Sequence, residues 1–411
     1  MDGTIRAKEV RKKFPYLNVQ ARGRPIVYLD SAASAQKPDE VIDRLADFTR
    51  SAYANVHRGV HRLSEQATLV YEETRDSLRK FFNAPAREEI VYTAGTTAAI
   101  NLVAHSWGRT HIAKGDCILL TEMEHHSNLL PWQDLAQRVG ARIDYVPILE
   151  NGRGLDRAAA RELLKKRPQL FSFVHVSNVL GVENPVAEWC RQAREVGTVT
   201  LVDAAQSAGH QKIDVQETGC DFLVCSAHKM CGPTGIGMLY GRGELLKAMP
   251  PWQFGGEMVA RSFFDAPAVY RDPPARFEAG TPPIIEAAGF GQALKFLNHT
   301  GLDFIHDYGI ELAQQAYDGL SQIEGVRCLG PEKREAAMVA FAVEDIHAHD
   351  MAFFCDQRGV AVRAGHHCTQ PLMKKLGIPS SARASFYMYN TREEVDILVA
   401  SVREATRFFR S

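Results

Sequence analysis

Short apolar runs alternate with helical patterns between about residues 90 and 245 of the chain. Most of these runs are too uniformly apolar to have one face in water, which is typical of strands buried on both sides. The pattern therefore predicts a parallel or mixed sheet with helices on both faces. The predicted strands are EIVYTAG, CILLTEMEH, ARIDYVPI, LFSFVHVSN, TVTLVDAAQ, DFLVCSAH and IGMLYG.

The C-terminal third of the chain has its own pattern. A long helical stretch from Ile284 to about Gln322 is expected to cross from the sheet to a second unit. That unit has predicted strands at MVAFAV, VAVRAG and RASFYMYN and a helix near AHDMAFFCDQRG. The last helix is predicted to begin with a capping box formed by Thr391 and Glu394. Its apolar stripe is Val395, Leu398, Val399, Val402 and Phe409.

Two domains follow from these patterns. We expect a large domain over residues 21–285 and a smaller α/β C-terminal domain over residues 286–411. Residues 1–20 are expected to pack on the smaller domain.

Composition excludes several classes of protein. Of 411 residues, 45% are hydrophobic and 24% are charged, and the net charge is −1, so bulk electrostatics favours neither nucleic acid nor membrane. No apolar run approaches the ~18 residues of a membrane span, and the start MDGTIRAKEVRKKF lacks the apolar core of a secretory signal. Eight scattered cysteines without a C-x-x-C pair favour reduced thiols and a cytoplasmic setting.

Polar residues follow several of the predicted strands. Ligands of open α/β sheets bind at the carboxyl ends of strands, so these residues are candidates for one shared site. Taken singly, each is more often a satisfied core or turn residue, but endings on consecutive strands converge on one crevice. The candidates are His125, His126, Asn178, Asp203, Gln206, Ser226, His228 and Lys229.

The stretch TAGTTAAINLVA has the pattern of an anion site. Gly95, Thr96 and Thr97 would place N–H groups and hydroxyls at a helix N-terminus, where the dipole favours negative charge. On its own the stretch is more simply an N-cap. Beside Ser226 and His228 it becomes a candidate phosphate cup.

These candidates together match one cofactor. Pyridoxal 5′-phosphate (PLP) needs a lysine for a Schiff base, an acidic partner for its ring nitrogen and a phosphate site. Lys229, Asp203 and the phosphate cup would supply these groups, and an imidazole among the candidates could stack on the ring. The sequence therefore predicts a PLP enzyme.

Many stretches of the chain, in order from about residue 24 to the C-terminus, resemble the SufS-like (group II) cysteine desulfurases. These are fold-type I PLP enzymes of the class V aminotransferase family. The matching stretches are YLDSAASAQKP, NVHRGVHRLSEQAT, TAGTTAAINLVA, EMEHHSNLLPWQ, HVSNVLGVENP, SAHKMCGPTGIGMLYG, GGEM, RFEAGTPP, RAGHHCTQPLM and YNTREEVD.

The resemblance implies a fold and an activity. The fold is a large PLP-binding domain with a mostly parallel seven-stranded sheet, plus a smaller C-terminal domain that carries a catalytic cysteine loop. The activity is conversion of L-cysteine to L-alanine with a persulfide on Cys368, which supplies sulfur for iron–sulfur cluster assembly. A homodimer is implied, with a sulfur acceptor of SufE or SufU type and a SufBCD scaffold as partners.

The resemblance also implies a role for each matched residue. Lys229, Cys368 and His125 are catalytic. Cofactor binding is implied for Thr96 or Thr97, His125, Asp203, Gln206, Ser226, His228 and Lys229, and Thr281 is expected to reach the phosphate of the other subunit. Substrate binding is implied for Asn178 and Arg383, and His57, Arg58 and Arg363 would line the entrance, the first two from the partner.

Other interpretations remain for the segment RAGHHCTQP. His366, His367 and Cys368 are possible zinc ligands, but adjacent residues seldom direct side chains to one ion, so no metal is predicted. The two histidines either tune Cys368 or shape the turn that presents it. A selenocysteine lyase or cysteine-sulfinate lyase is the alternative enzyme, and a non-catalytic sulfur carrier is the alternative outside enzymes.

Overall fold

The computed structural model describes residues 3–21 and 23–411. Met1, Asp2 and Arg22 belong to the predicted domains but lie outside the described residues. The strands are β1 Gln20–Ala21, β2 Arg24–Pro25, β3 Val27–Tyr28, β4 Ile90–Thr93, β5 Cys117–Thr121, β6 Arg142–Val146, β7 Leu170–Val174, β8 Val199–Asp203, β9 Phe222–Ser226, β10 Gly237–Gly241, β11 Val259–Arg261, β12 Val269–Tyr270, β13 Val326–Cys328, β14 Met338–Val343, β15 Val360–Ala361, β16 Arg363–Gly365 and β17 Ser381–Ser385.

Helices cover both faces of the sheets and link them along the chain. They are α1 Gly3–Arg11, α2 Asp39–Ser51, α3 Arg62–Phe81, α4 Thr96–Val103, α5 Arg109–His111, α6 Leu130–Val139, α7 Arg157–Lys165, α8 Val186–Glu195, α9 Val215–Thr218, α10 Gly243–Ala248, α11 Ile284–Thr300, α12 Leu302–Ser321, α13 Ala348–Asp356, α14 Gln370–Lys375 and α15 Arg392–Arg410.

All seven strands predicted between residues 90 and 245 form one sheet, here called the large sheet. Its order is β4-β10-β9-β8-β7-β5-β6, and only β10 runs antiparallel to its neighbours. The side chains of β4, β5 and β7 to β10 are buried almost throughout, whereas the edge strand β6 is partly exposed. The prediction of a mostly parallel sheet covered on both faces is confirmed.

Four strands of the C-terminal region form a second, small sheet in the order β13-β14-β17-β16. Helices α12 and α15 pack on it through a separate apolar core that includes Leu312, Val339 and Leu398. The predicted capping box is present, since the Thr391 hydroxyl accepts from the Glu394 N–H and the Glu394 carboxylate accepts from the Thr391 N–H. The division of the chain into two domains at residues 285 and 286 stays a prediction.

Three expectations for this region were wrong in detail. The helical stretch after Ile284 is two helices, because the chain turns at Gly301, where φ is 86°. The run VAVRAG is two strands, because β15 pairs with β3 while β16 pairs with β17. The run RASFYMYN leaves the sheet after Ser385, and Asn390 closes a turn by accepting the Tyr387 N–H.

The N-terminal segment contacts both cores. Ala7 of α1 packs in the core of the small sheet, as expected. Phe14 and Leu17 pack instead in the core on the large sheet, where Phe14 contacts the rings of Phe296 and Tyr389. Residues 3–20 therefore bridge the two cores rather than packing on one.

Candidate active site

The carboxyl ends of the parallel strands open into one cavity of about 210 Å³, here called the ligand cavity. Its walls come from the loops after β5, β7, β8 and β9, the start of α4, and β16 and β17 of the small sheet. It brings together eleven of the predicted site residues, namely Thr96, Thr97, His125, Asn178, Asp203, Gln206, Ser226, His228, Lys229, Arg363 and Arg383.

Lys229 follows β9 in a short 3₁₀ turn, Ala227–Lys229, which directs its amine into the cavity. Burial lowers the pKa of Lys229 to about 8, although the nearby carboxylate of Asp203 acts in the opposite direction. The amine is therefore far easier to deprotonate than an ordinary lysine at neutral pH.

Asp203 ends β8 and is 3% exposed. Burial raises its pKa, and the Ala205 N–H donates to its Oδ1 at 2.9 Å. Beside it, the Gln206 side-chain amide donates to the Ala32 carbonyl at 2.9 Å, which fixes the amide at the cavity wall. A buried carboxylate of this kind needs a cationic partner, and a protonated ring nitrogen would provide one.

The residues of the predicted phosphate cup lie together at the start of α4. Ser226 Oγ accepts from the Thr96 N–H at 2.8 Å and lies 2.9 Å from Thr96 Oγ1, while Thr97 Oγ1 lies 2.7 Å from Ser127 Oγ. A Cβ on Gly95 would lie 3.1 Å from Ser226 Oγ, and its φ of 143° favours glycine. The hydroxyls thus cluster at the first turn of α4, where the helix dipole favours an anion.

His125 and His228 are both neutral. Burial, together with the positive charge of Lys229, lowers the pKa of each to about 4. The Ser127 N–H donates to His125 Nδ1 at 3.1 Å, so the ring proton of His125 lies on Nε2. His228 Nδ1 lies 3.4 Å from Ser34 Oγ.

Arg383 and Asn178 occupy the wall near the small sheet. Arg383 is 1% exposed; it donates to the Asn178 carbonyl at 2.8 Å and pairs with Asp30 at 3.2 Å. Its Nε and Asn178 Oδ1 are buried without a partner among the described residues. Buried polar groups are rarely left unpaired, so these atoms indicate a bound polar ligand.

Four residues to which the resemblance assigns a role lie outside the lining of this cavity, and so does the candidate His126. Cys368 is half-buried, and its carbonyl accepts from the His126 N–H at 2.8 Å, beside His367, which does line the cavity. Its thiolate would lie close enough to Lys229 to raise the pKa of that amine. Thr281 lines a separate cavity with Tyr71 and Tyr92.

His57 and Arg58 bind carboxylates elsewhere on the surface. His57 Nε2 lies 3.1 Å from Glu72, and Arg58 pairs with Glu257 at 2.8 Å. These two residues and Thr281 therefore do not line the ligand cavity of their own chain.

Three groups at this site were not predicted from the sequence. Glu124 precedes His125 and is fully buried, Asp30 holds Arg383, and Ser127 binds both Thr97 and His125. All three lie in the quoted stretches YLDSAAS and EMEHHSN, so their position beside recognised residues was the available signal.

The described ranges contain no group of three or more His, Cys, Asp or Glu side chains able to hold a metal ion. The buried lysine, the carboxylate, the hydroxyl cluster and the unpaired polar atoms instead fit PLP. Within those ranges, no helix is long and apolar enough to cross a membrane.

Comparison with known proteins gives one consistent result. Residues 27–398 match the family described as aminotransferase class-V. The chain is 48% identical over 406 residues to a probable cysteine desulfurase of Halalkalibacterium halodurans. The matched region covers 98% of this chain and 99% of that protein. It is 47% identical over 404 residues to a cysteine desulfurase of Pectobacterium carotovorum, with 98% and 99% coverage.

Solved structures of cysteine desulfurases have the same fold. The cysteine desulfurase CsdA of Escherichia coli superposes with a TM-score of 0.90 at 37% identity, covering 98% of both chains. A cysteine desulfurase of Thermococcus onnurineus superposes with a TM-score of 0.92 at 39% identity, covering 97% of this chain and 98% of the other.

Proposed function

We propose that this chain, which belongs to the aminotransferase class-V family and is a PLP-dependent cysteine desulfurase, uses Cys368 to take sulfur from L-cysteine. One observation carries this proposal: the segment of Cys368 lies against the cavity that contains the buried amine of Lys229. When bound, PLP draws electrons from the substrate and stabilises negative charge at its Cα.

The residues around Lys229 would hold the cofactor. Lys229 provides the amine for the covalent bond, Asp203 the carboxylate for the ring nitrogen, and Gln206 a hydrogen bond at the ring edge. The phosphate of the cofactor would be bound by the hydroxyl cluster of Thr96, Thr97 and Ser226, with His228 beside it. His125 would stack on the ring.

Proton transfer is assigned to Lys229 and His125. The lowered pKa of Lys229, about 8, suits an amine that removes a proton from the substrate Cα and later returns one. Neutral His125 keeps a donor at Nε2, which suits it to deliver a proton to a reacting group in the cavity.

Arg383 and Asn178 would bind the substrate carboxylate, with Arg363 beside them at the entrance. The unpaired Arg383 Nε supports this role, since a carboxylate oxygen would satisfy it. Asp30 holds the other end of the guanidinium and so fixes its plane.

Sulfur transfer follows from the thiolate of Cys368 attacking the substrate sulfur. An S–S bond forms, the Cβ–S bond breaks, and its electron pair stays on Cβ, which then takes a proton to give alanine. The substrate carbon is reduced, and the two sulfurs become a persulfide on Cys368. Only the thiolate is a good nucleophile, so the Cys368 proton must leave first.

The test is Cys368→Ser. With L-cysteine the variant should show the spectral changes of substrate binding but release almost no sulfide in the presence of a reductant. Cys328→Ser, at a half-buried cysteine of the small sheet, should behave as wild type. Normal desulfuration by Cys368→Ser contradicts the assignment.

The same variant separates the desulfurase from the alternative lyases. Selenium and sulfinate are better leaving groups and depend less on a protein thiol. Relative turnover of the three substrates by wild type and by Cys368→Ala therefore distinguishes the three enzymes.

A homodimer is also proposed. Thr281, His57 and Arg58 do not line the cavity of their own chain, which agrees with a role in the partner's site. Val60, close to His57 and Arg58 in sequence, is exposed, and so are Phe254, Phe263 and Phe264, as an interface of apolar side chains requires. Measuring the mass in solution checks this, and a monomer with full activity would contradict it.

The acceptor of the persulfide is proposed to be a SufE- or SufU-type protein that feeds a SufBCD scaffold for iron–sulfur cluster assembly in the cytoplasm. Support comes only from the motif resemblance and the scattered, unpaired cysteines. Desulfuration measured with and without each candidate acceptor tests the choice. An acceptor that leaves the rate unchanged is ruled out.

A further inference from the structure

Two consecutive residues of the loop 366–369, here called the cysteine loop, have left-handed backbone conformations. His367 has φ of 51° and Cys368 has φ of 58°. Residues other than glycine disfavour this region, and two in succession are rarer still. Such a conformation persists only where the surroundings hold it, and such sites cluster where function demands them.

Contacts from two different sheets hold the cysteine loop. Asn178, after β7 of the large sheet, donates its side-chain N–H to the His367 carbonyl at 2.8 Å. The His126 N–H, after β5 of the same sheet, donates to the Cys368 carbonyl at 2.8 Å. The third contact is the His367 ring, whose Nε2 lies 3.0 Å from the carbonyl oxygen and the hydroxyl of Ser381 in β17.

The ring contact fixes the tautomer of His367. A carbonyl oxygen can only accept, so Nε2 carries the proton and donates it to Ser381. Burial, reinforced by the positive charges of Arg383 and Arg363, lowers the pKa of His367 to about 3. The ring is therefore neutral, and Nδ1 keeps a free lone pair.

His367 also reaches the ligand cavity. The residue is 3% exposed, it lines the cavity beside Arg363 and Arg383, and its Nδ1 is buried without a partner in the part of the chain that the structure describes. His366, the preceding residue, differs on each count. It is exposed, and its carbonyl, rather than its ring, binds Thr369.

We propose that His367 is a positioning residue that holds Cys368 at the ligand cavity by tying the strained loop to Ser381 and Asn178. The inference rests on the proposed function, in which Cys368 is the nucleophile. It predicts that loss of the Nε2 donor slows the step at Cys368 while leaving cofactor and substrate binding intact. His367 is the residue that fixes the direction of the thiol.

The experiment compares His367→Leu, His367→Gln and His366→Leu as holoenzymes. Leucine fills a similar volume without a donor, whereas the amide of glutamine can place N–H near the position of Nε2. On rapid mixing with L-cysteine, two rates are followed: the spectral change of substrate binding, and persulfide formation on Cys368 by mass spectrometry.

For His367→Leu, persulfide formation should fall about tenfold or more, the order expected when a buried polar group loses its partner, while the spectral change keeps its rate. His367→Gln should restore persulfide formation to within about threefold of wild type, and His366→Leu should stay within the same range. Three results would overturn the inference. In the first, His367→Leu forms the persulfide at the wild-type rate. In the second, it loses the rate of the spectral change as much as the rate of persulfide formation. In the third, His367→Gln forms the persulfide as slowly as His367→Leu.

Two further measurements keep the outcome decisive. Cys368→Ser is measured alongside. If this variant still desulfurates L-cysteine, the proposed function fails. If it is inactive while His367→Leu behaves as wild type, only the present inference is refuted. Should the leucine variant not fold, hydrogen exchange on the wild-type holoenzyme decides. The His126 amide must be protected by the Cys368 carbonyl, and rapid exchange there would show that the cysteine loop is not held in place and would overturn the inference.

Discussion

Glu124, the buried residue that precedes His125, allows a quantitative test of its protonation state. Its carboxyl group is 3% exposed, lies 2.5 Å from the Thr121 hydroxyl, and accepts from the Asn128 amide at 2.6 Å and the Val174 N–H at 3.1 Å. Burial raises its pKa from 4.5 to about 8, although these hydrogen bonds oppose the change. At neutral pH the group is therefore mostly protonated in the folded protein.

The sign of the effect on stability follows from proton binding. Between pH 4.5 and 8 the folded protein keeps a proton on Glu124 that the unfolded chain releases. The free energy of unfolding therefore includes the whole stabilising contribution of this proton below about pH 4.5. That contribution falls as the pH rises and is lost by about pH 8. The difference of about 3.5 pKa units corresponds to about 5 kcal/mol, at about 1.4 kcal/mol per unit.

Glu124→Gln removes the titration and keeps the shape. The amide loses one acceptor, so the variant carries a penalty of about 1–3 kcal/mol at every pH. Relative to wild type, the variant should gain stability from pH 5 to about pH 8, by several kcal/mol in total, and the difference should level off above that pH. Other titrating groups such as Lys229 occur in both proteins, so they largely cancel in the difference.

Urea unfolding of the two apoproteins across this pH range measures the difference in their free energies of unfolding. Infrared spectroscopy should show a protonated carboxyl band in wild type that Glu124→Gln lacks. Glu122→Gln is the control, since that carboxylate pairs with Lys375 at the surface. A gap that stays constant within about 1 kcal/mol from pH 5 to pH 9 would refute a protonated Glu124.

Three further predictions address the cofactor site. Lys229→Ala should abolish the visible absorption band of the lysine–cofactor bond, and a retained band would contradict the assignment. Gly95→Ala should weaken PLP retention about tenfold or more, because the new Cβ would lie 3.1 Å from Ser226 Oγ at a residue whose φ is 143°. Gly154→Ala is the control, since its Cβ would make only an ordinary contact. Equal PLP retention by the two variants, measured by dialysis, argues against the phosphate cup. Arg383→Gln should raise KM for L-cysteine by about tenfold to a hundredfold through loss of a charged hydrogen bond, and an unchanged KM in steady-state kinetics would remove Arg383 from carboxylate binding.

The sequence allowed prediction of the large sheet and of most of the ligand cavity for one physical reason. Strands buried on both faces are almost continuously apolar, so the first polar residue after each strand marks the edge of the sheet. Asp203, Ser226 and Lys229 were found in this way, and they line one cavity. The resemblance added Cys368, which no strand pattern singles out.

The remaining features depend on contacts between distant segments. Nothing local distinguishes His367 from His366, and their difference arises because only one ring reaches Ser381. The break at Gly301 was missed because a single glycine inside an apolar helical pattern is usually tolerated. Asp30 was missed because its partner, Arg383, is more than 350 residues away.

The position of β4 at the edge of the large sheet has a consequence for synthesis of the chain. Its only partner in that sheet is β10, and Ile90 pairs with Tyr240, about 150 residues later. At roughly 5–20 residues per second, β4 leaves the ribosome some 8–30 seconds before β10 exists. A buried apolar strand must therefore wait unpaired, which exposes this stretch to aggregation in the nascent chain and makes it a natural place for a chaperone to bind.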